Sequence, residues 1–328
     1  MSSNELLLFA QHQDDQAETL LLQLLRGAGP KGLASMAVIS DFGQGKLYRP
    51  FLNVEQKVLA EYAKLNKLQW VEDDSNHNTK FDRNYLRHQV IPQIKQRWPS
   101  MATTLSRSAR LCAQAAHLES RLGEKLLPEV LGDAAHIINI DRLRQYETHE
   151  QTLIIRHWVA ESGRQMPNEK HIQQLFGKVI NARTDATPEL TWQAGEIRRY
   201  KRHLYLMSPI TQPRINLHYQ WTPTRPLPLP CIGKQLDSKY VLGEGLDAKR
   251  CERGFEVLFR SNSEQCIGKN GCLQSLKKIL QNLDIPPWER YRLPLLINAG
   301  HVIAVGGYWV SPEYQAQKDQ WGYKLILS

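Results

Sequence analysis

Long apolar runs, a basic leader and paired cysteines are absent from this sequence. No segment holds the roughly eighteen unbroken apolar residues of a membrane-spanning helix, which excludes an integral helical membrane protein. The first residues, MSSNELLLFAQHQDD, carry no basic head before their leucines. No secretory signal is therefore read, and a cytoplasmic location with no membrane partner is expected. The five cysteines, at 112, 231, 251, 266 and 272, are odd in number and form no CxxC pair. That argues against a disulfide framework and a zinc knuckle. A metal site gathering Cys251, Cys266 and Cys272 stays open, with buried free thiols the stronger expectation.

What the sequence does have is positive charge. Lys and Arg number 42 against 33 Asp and Glu, a formal charge of +9. Such an excess favours a polyanionic partner, because phosphates bound by Lys and Arg release counterions. At 328 residues the chain has room for a sizeable core and more than one domain.

Residues 6–10 read as a short buried strand, followed by a helix that Gly27, Gly29 and Pro30 stop near Arg26. A second strand is expected in GKLYRPFL (45–52), then a helix capped by Asn53, then a third strand in LQWV (68–71). This alternation is that of an α/β unit with a parallel sheet. Three short strands make a small sheet, and the expectation that follows is an incomplete domain whose first part lies upstream of Met1. Ser100 opens a long helical pattern through Leu127, and 150–161 and 168–180 are further helices. Residues 192–207 read as a hairpin around QAGE. Its RRYKRH stretch, with Arg198, Arg199, Lys201 and Arg202, suits a strand beside phosphates and equally a solvated edge. Six prolines between 208 and 230 suggest a stiff connector. Beyond it, FEVLF, HVIAVGGYWV and YKLIL read as strands, and 272–290 as one helix ended by Pro286 and Pro287.

The stretch QHQDDQAETLLLQLLRGAGPKGL concentrates His12, Asp14, Asp15, Glu18 and Thr19 at a helix start. Acids in a first turn are stabilised by the helix dipole, which accounts for one or two of them. The remainder fall where open parallel sheets bind ligands, outside the carboxyl ends of their strands. A magnesium ion held by carboxylate and phosphate oxygens is the use this composition suggests. The second candidate holds Asp73, Asp74, Ser75 and Asn76, a set that also makes plain turns. Arg83, Asn84 and Arg87 follow. Two arginines four apart face the same way and need an anion between them: a phosphate, or a carboxylate such as Asp82.

Together, AQHQDDQAETLLLQLLRGAGPKGLASM, WVEDDSNHNTKFDRNYLRHQVIP and LKKILQNLDIPPWERYRLPLL resemble the tRNA(Ile)-lysidine synthase family, in the family's order and over nearly the whole chain. The resemblance implies an adenine nucleotide alpha hydrolase-like α/β domain of the N-type ATP pyrophosphatase kind at 1–98. It also implies a mostly helical middle domain at 99–207, a linker at 208–230 and a small α+β C-terminal domain at 231–328. It implies a ligase in tRNA processing that uses ATP, Mg2+ and L-lysine to convert the wobble cytidine of the CAU anticodon of tRNA(Ile) to lysidine. A homodimer is left open.

Carried over by position, Asp15, Glu18, Arg83 and Arg87 would be catalytic. His12, Asp14, Thr19, Arg26, Gly27, Asp74, Ser75, Asn76 and Asn84 would line the nucleotide, with Asp14 and Asp15 on the metal. Arg198, Arg199, Lys201, Arg202, Lys277, Lys278, Arg290 and Arg292 would face tRNA. One departure stands out: the family's SGGxDS phosphate loop does not occur, and the sole Gly-Gly pair is Gly306–Gly307. The expectation drawn from it is a chain lacking the phosphate-loop portion of its catalytic domain. Such a chain could instead be an inactive tRNA-binding protein or another tRNA-modifying ATP pyrophosphatase.

Overall fold

The computed structural model describes residues 5–71, 74–183, 186–210, 217–252, 254–261, 264–267 and 273–328. Asp73, Cys272 and residues 211–216 of the connector lie outside them. The chain divides into two compact units, Met1–Glu129 with Glu147–Trp158, and Val130–Tyr146 with Val159–Ser328.

The first unit opens with a strand–helix–strand arrangement. β1 (Leu6–Leu8) runs parallel to β3 (Gly45–Tyr48), with Leu6 opposite Lys46 and Leu8 opposite Tyr48. Between them in sequence lie α1 (Gln13–Leu25), α2 (Pro30–Leu33) and β2 (Ile39–Phe42), and β2 pairs antiparallel with β3. The sheet is therefore mixed, in the order β1-β3-β2, where alternation had suggested a parallel one. The cause is local: Gly43, at φ +61°, turns the chain straight back between β2 and β3. Leu6 and Leu8 remain 55% and 61% exposed, and Ile39 and Phe42 are also exposed.

After α3 (Gln56–Leu65), residues 68–71 pair with no strand, which corrects the third-strand expectation. Val71 there is 96% exposed, so the β-forming side chains of LQWV find nothing to pack against. α4 (Asp82–Tyr85) passes through a wide turn, Leu86–Val90, into α5 (Ile91–Arg97). Pro92, in the first turn of α5, has no N–H to donate to the preceding turn, and the helix widens ahead of it. Ala17 of α1, Leu86, Ile91 and the start of α6 (Met101–Val130), at Met101 and Ala102, close a small core. That core holds the acid-rich helix against the segment carrying Arg83 and Arg87.

The second unit contains β4 (Ile137–Asn139), α7 (Ile140–Leu143), the end of α8 (Thr148–Glu161) and α9 (Glu169–Gln174) with its wide continuation Leu175–Ile180. These helices pack beside an antiparallel sheet of β4, β5 (Glu189–Trp192), β6 (Gly195–Tyr200) and β7 (His203–Met207), in the order β4-β7-β6-β5. The hairpin expectation thus extends to the meander β5-β6-β7, with β4 added beside β7 and Ile197 and Leu204 fully buried.

The C-terminal part is α+β. A four-stranded sheet joins β9 (Leu227–Leu229), β10 (Lys234–Leu242), β11 (Leu246–Asp247) and β18 (Trp321–Leu327). A larger one runs through β8 (Tyr219–Trp221), β12 (Phe255–Leu258), β13 (Gln265–Ile267), β14 (Leu273–Ser275), β15 (Leu295–Asn298), β16 (His301–Val305) and β17 (Trp309–Val310). The single helix expected over 272–290 is instead β14, α10 (Leu276–Asn282) and α11 (Pro287–Arg290). Asp284, at φ +57°, breaks the helix before the double proline can restart it.

Gly245 joins β10 to β11 at φ +82°, and a Cβ there would lie 2.2 Å from the carbonyl oxygen of Tyr323. Backbone cannot yield as a side-chain tip can, so Gly245→Ala is expected to destabilise the second unit by about 3 kcal/mol or more. The urea midpoint measures this, and an unchanged midpoint would remove Gly245 from the joint.

Candidate active site

α1 is built inside out. Its first half, Gln13 to Glu18, is buried although five of those six residues are polar, while Leu24 and Leu25 at its far end stand exposed. Glu18 is 2% exposed, and Asp14 and Asp15 are each 8%. Buried carboxylates need hydrogen bonds and opposite charge, and partners come from distant sequence.

Glu18 accepts from Arg83 Nε at 2.8 Å, from Arg87 Nε at 2.6 Å and from Arg87 Nη2 at 2.8 Å. Asp15 Oδ1 accepts from Arg83 Nη2 at 3.1 Å and Arg87 Nη2 at 3.0 Å. Its Oδ2 caps the helix by accepting from the backbone N–H of His12 at 3.0 Å. Two carboxylates and two guanidiniums thus balance their charges, and both arginine side chains are about one-third exposed. The anion needed between Arg83 and Arg87 is supplied by Glu18 and Asp15, not by Asp82. Asp82 lies 3.6 Å from Arg26 in an exposed pair. The bond to Glu18 holds the Arg87 guanidinium above its usual range.

Asp14 has its own partners: Lys95 Nζ on Oδ1, and the backbone N–H of Gln56 on Oδ2 at 3.0 Å. Burial pushes its carboxyl up, but the bonds from Lys95 and Gln56 and the charges of Lys95 and His12 outweigh it. The net position is below the usual carboxylate range. Lys95 escaped the sequence reading; its signal is its place two helical turns beyond Arg87, facing the same way. Gln16 was also missed. Its amide makes a paired contact with the backbone of Met36, accepting at 3.0 Å and donating at 2.9 Å.

These bonds decide whether the two aspartates fit a metal. All four of their carboxylate oxygens already accept from protein donors. Among the described residues no group of three or more His, Cys, Asp or Glu gathers as a metal site. In this arrangement every carboxylate oxygen of Asp14 and Asp15 is engaged by a protein donor, and holding a magnesium ion there would compete with those bonds. The side-chain hydroxyl of Thr19 turns back to the Asp15 carbonyl. His12 Nδ1 is buried without a partner, so one polar atom at the helix head keeps unused capacity. In the second motif, Asn84 donates to the Ser75 and Asn78 carbonyls, and the His88 ring meets the Asn76 carbonyl at 2.8 Å. Ser75 and Asn76 thus sit in a braced turn, while Gly27 forms the left-handed stop of α1 at φ +72°.

The basic residues expected on tRNA divide sharply. Arg199 is buried, and its guanidinium donates to the carbonyls of Val179, Ile180, Ala182 and Lys201. Burial pushes it down from the usual arginine range. Arg290 is buried too, bonded to the Ile285 carbonyl at 2.8 Å and the Tyr200 hydroxyl at 3.3 Å. Both serve the fold, because a carbonyl-lined end of a helix turn is a better-shaped acceptor than solvent. Arg198 pairs with Glu196 and Glu189, Lys201 with Asp284, and Arg202 with Asp141. Arg292 donates to the Ile232 carbonyl. Lys277 and Lys278 are exposed on α10. The thiols of Cys251 and Cys266 are pushed by burial up to about 12 and about 11, as expected of buried free cysteines.

The chain matches three family models: a PP-loop domain over residues 1–94, the TilS substrate binding domain over 138–205 and the TilS substrate C-terminal domain over 255–327. A tRNA(Ile)-lysidine synthase of Coxiella burnetii is 38% identical over 99% of this chain and 72% of its own length. One from Yersinia pseudotuberculosis is 36% identical over 98% and 73%. One from Methylococcus capsulatus is 35% identical over 98% and 74%. The PP-loop match overturns the expectation of a chain lacking the phosphate-loop portion of its catalytic domain. The matched residues 1–94 span β1 to β3, α1 to α4 and most of α5.

Glu18→Gln keeps the shape of the network but leaves two guanidiniums facing one carboxylate. A loss of about 3 kcal/mol is expected, and Glu18→Gln with Arg87→Met should cost less than the sum of the single changes. Additive losses in a double-mutant cycle would show that the pair does not act together. Because Asp14 is held low, its contribution to stability is present above the unfolded carboxylate range and fades as pH falls through its folded value. Lys95→Met should move that acid loss to higher pH, read from urea midpoints across an acid series.

Proposed function

The chain belongs to the tRNA(Ile)-lysidine synthase family, and on that premise we propose that it converts the wobble cytidine of the CAU anticodon of tRNA(Ile) to lysidine. ATP adenylates the cytidine at C2 and releases pyrophosphate. The ε-amine of free L-lysine then displaces AMP. The observation that carries this reading is the joining of Asp15 and Glu18 to Arg83 and Arg87 across 65 to 72 residues of sequence. It puts the two motifs characteristic of the family at one place.

Adenylation gathers negative charge on the α-phosphate as pyrophosphate leaves. Fixed guanidiniums stabilise such charge without reorganising, provided something holds them in place beforehand. Glu18 and Asp15 supply that hold through the Nε and Nη2 atoms. The remaining edges of Arg83 and Arg87 are assigned to phosphate oxygens. Asp15 and Glu18 are accordingly positioning residues, since their oxygens are occupied by N–H donors. Magnesium is implied by the family; if bound, it would supply further charge beside the phosphates, in competition with the donors that Asp14 and Asp15 already accept from. The target cytidine lies in a loop, where an unpaired base can be splayed into a site at low cost.

Residues 1–98 carry the chemistry in this reading, and the later parts hold the tRNA. Exposed Lys277 and Lys278 suit phosphates there, whereas Arg199 and Arg290 are withdrawn from that assignment by their burial.

The test combines the full chain with tRNA(Ile) bearing a CAU anticodon, ATP and radiolabelled lysine. Label in the tRNA with matching AMP release is expected; a tRNA that binds but acquires no lysine overturns the reading. Lys277→Ala with Lys278→Ala should weaken tRNA binding and lower the slope of log K against log salt by about two. An unchanged slope takes both lysines off the RNA surface.

A further inference from the structure

A cavity of about 400 Å³ opens in the C-terminal part, lined by Lys249, Arg250, Glu252, Gly254, Asn298 and Tyr314. Its walls are fixed by short-range bonds. Asp247 caps the tight turn Ala248–Arg250 by accepting from the Lys249 N–H at 3.1 Å. Its other oxygen lies 4.0 Å from Arg250 Nε. The Arg250 guanidinium rests over the Tyr314 ring, 5.3 Å from its centre. The Tyr314 carbonyl accepts from the Asp247 N–H at 2.8 Å, and its hydroxyl accepts from Asn298 Nδ2 at 3.0 Å. Arg250, Tyr314 and Asn298 therefore form one braced wall, with Lys249 at the exposed rim.

We propose that this cavity takes a single unpaired nucleotide of the RNA substrate, its phosphate on Lys249, its base against the Arg250 plane and its edge read by the Asn298 amide. The volume lies within the range of small-ligand sites, about 300–1,000 Å³. Lysine binds phosphate as a point charge, and a planar guanidinium offers a base a stacking surface. Asn298 has one N–H engaged by Tyr314, which leaves its carbonyl and second N–H for a base edge. Paired bases are inaccessible in such a pocket, because a duplex presents its backbone and grooves; an unpaired one enters without breaking a pair. Lys249 and Arg250 are offset by Glu252 and Asp247, so the phosphate contact falls to Lys249 at the exposed rim and the guanidinium serves as the stacking plane. The inference rests on the tRNA reading for the identity of the strand, and it assigns residues that reading does not use.

The test measures anisotropy of a labelled single-stranded RNA hexamer, and of an RNA duplex of equal charge, on the full chain. Arg250 is half exposed and its contacts are local, so a folded variant is expected, and an unchanged urea midpoint checks it. Arg250→Ala is expected to weaken the hexamer at least about fivefold, the low end for loss of one stacked base, and the duplex less than about twofold. Arg250→Lys should lose the hexamer preference while keeping the salt slope. Equal effects on hexamer and duplex, or no effect on either, overturn the proposal. So does a mononucleotide that displaces the hexamer with equal affinity, which would make the cavity a small-molecule site. Lysidine formation by the unchanged chain is scored separately: activity with an insensitive hexamer sinks only the nucleotide pocket, and hexamer binding without activity sinks only the ligase reading.

Discussion

The first unit depends on one constraint: the polar head of α1 is buried, and its charges must be met. An isolated carboxylate moved out of water costs several kcal/mol even after relaxation. Asp14, Asp15 and Glu18 could not be buried together without Lys95, Arg83 and Arg87 closing over them. The apolar core beside them, built on Ala17, Leu86, Ile91, Met101 and Ala102, is small. The ion-pair network is therefore what specifies how the helix and the arginine segment meet, while apolar contact supplies the bulk attraction. The fork geometry of arginine matters here, because one Glu18 carboxylate is gripped by both side chains at once.

Much of this was legible in the sequence, and what was not has a physical reason. The density of acids in a first turn exceeded what a helix dipole accounts for, and arginines at 83 and 87 announced a shared anion. Which anion it was could not be read, since phosphate and carboxylate satisfy a guanidinium equally well. Only the fold shows that the two motifs neutralise each other. The strand at 45–52 and the long helix from 101 followed from periodicity. Residues 68–71 did not become a strand because pairing is non-local, and β-propensity without a neighbouring edge decides nothing. The break at Asp284 rests on one left-handed residue, for which an aspartate gives only a weak signal.

Positive charge misled where it was counted without burial. The strand holding Arg198, Arg199 and Lys201 looked like a phosphate-facing edge, yet Arg199 spends its guanidinium on four backbone carbonyls. An alternating polar strand puts every second side chain on one face, and that face here meets the end of the helix turn at 175–180. Net charge states how strongly a chain is drawn to a polyanion; it does not say which cations do the drawing.

Within the second unit the same chemistry acts as a fastener. Trp288 lies edge-on to Tyr200 and Tyr205, with ring centres 6.2 and 5.3 Å away, and Arg198 stands over its ring at 5.6 Å. Arg290 reaches the Tyr200 hydroxyl, and Lys201 meets Asp284. These contacts tie the β6–β7 hairpin to the α10–α11 segment. The residues sequence alone would have sent to RNA are used to hold two parts of the protein in register. A surface held in register before its ligand arrives loses less freedom on binding. If the exposed lysines of α10 meet tRNA as proposed, they stand on a base that is already ordered. On the proposed tRNA reading, the buried arginines act only indirectly, by holding the hairpin and the α10–α11 segment together.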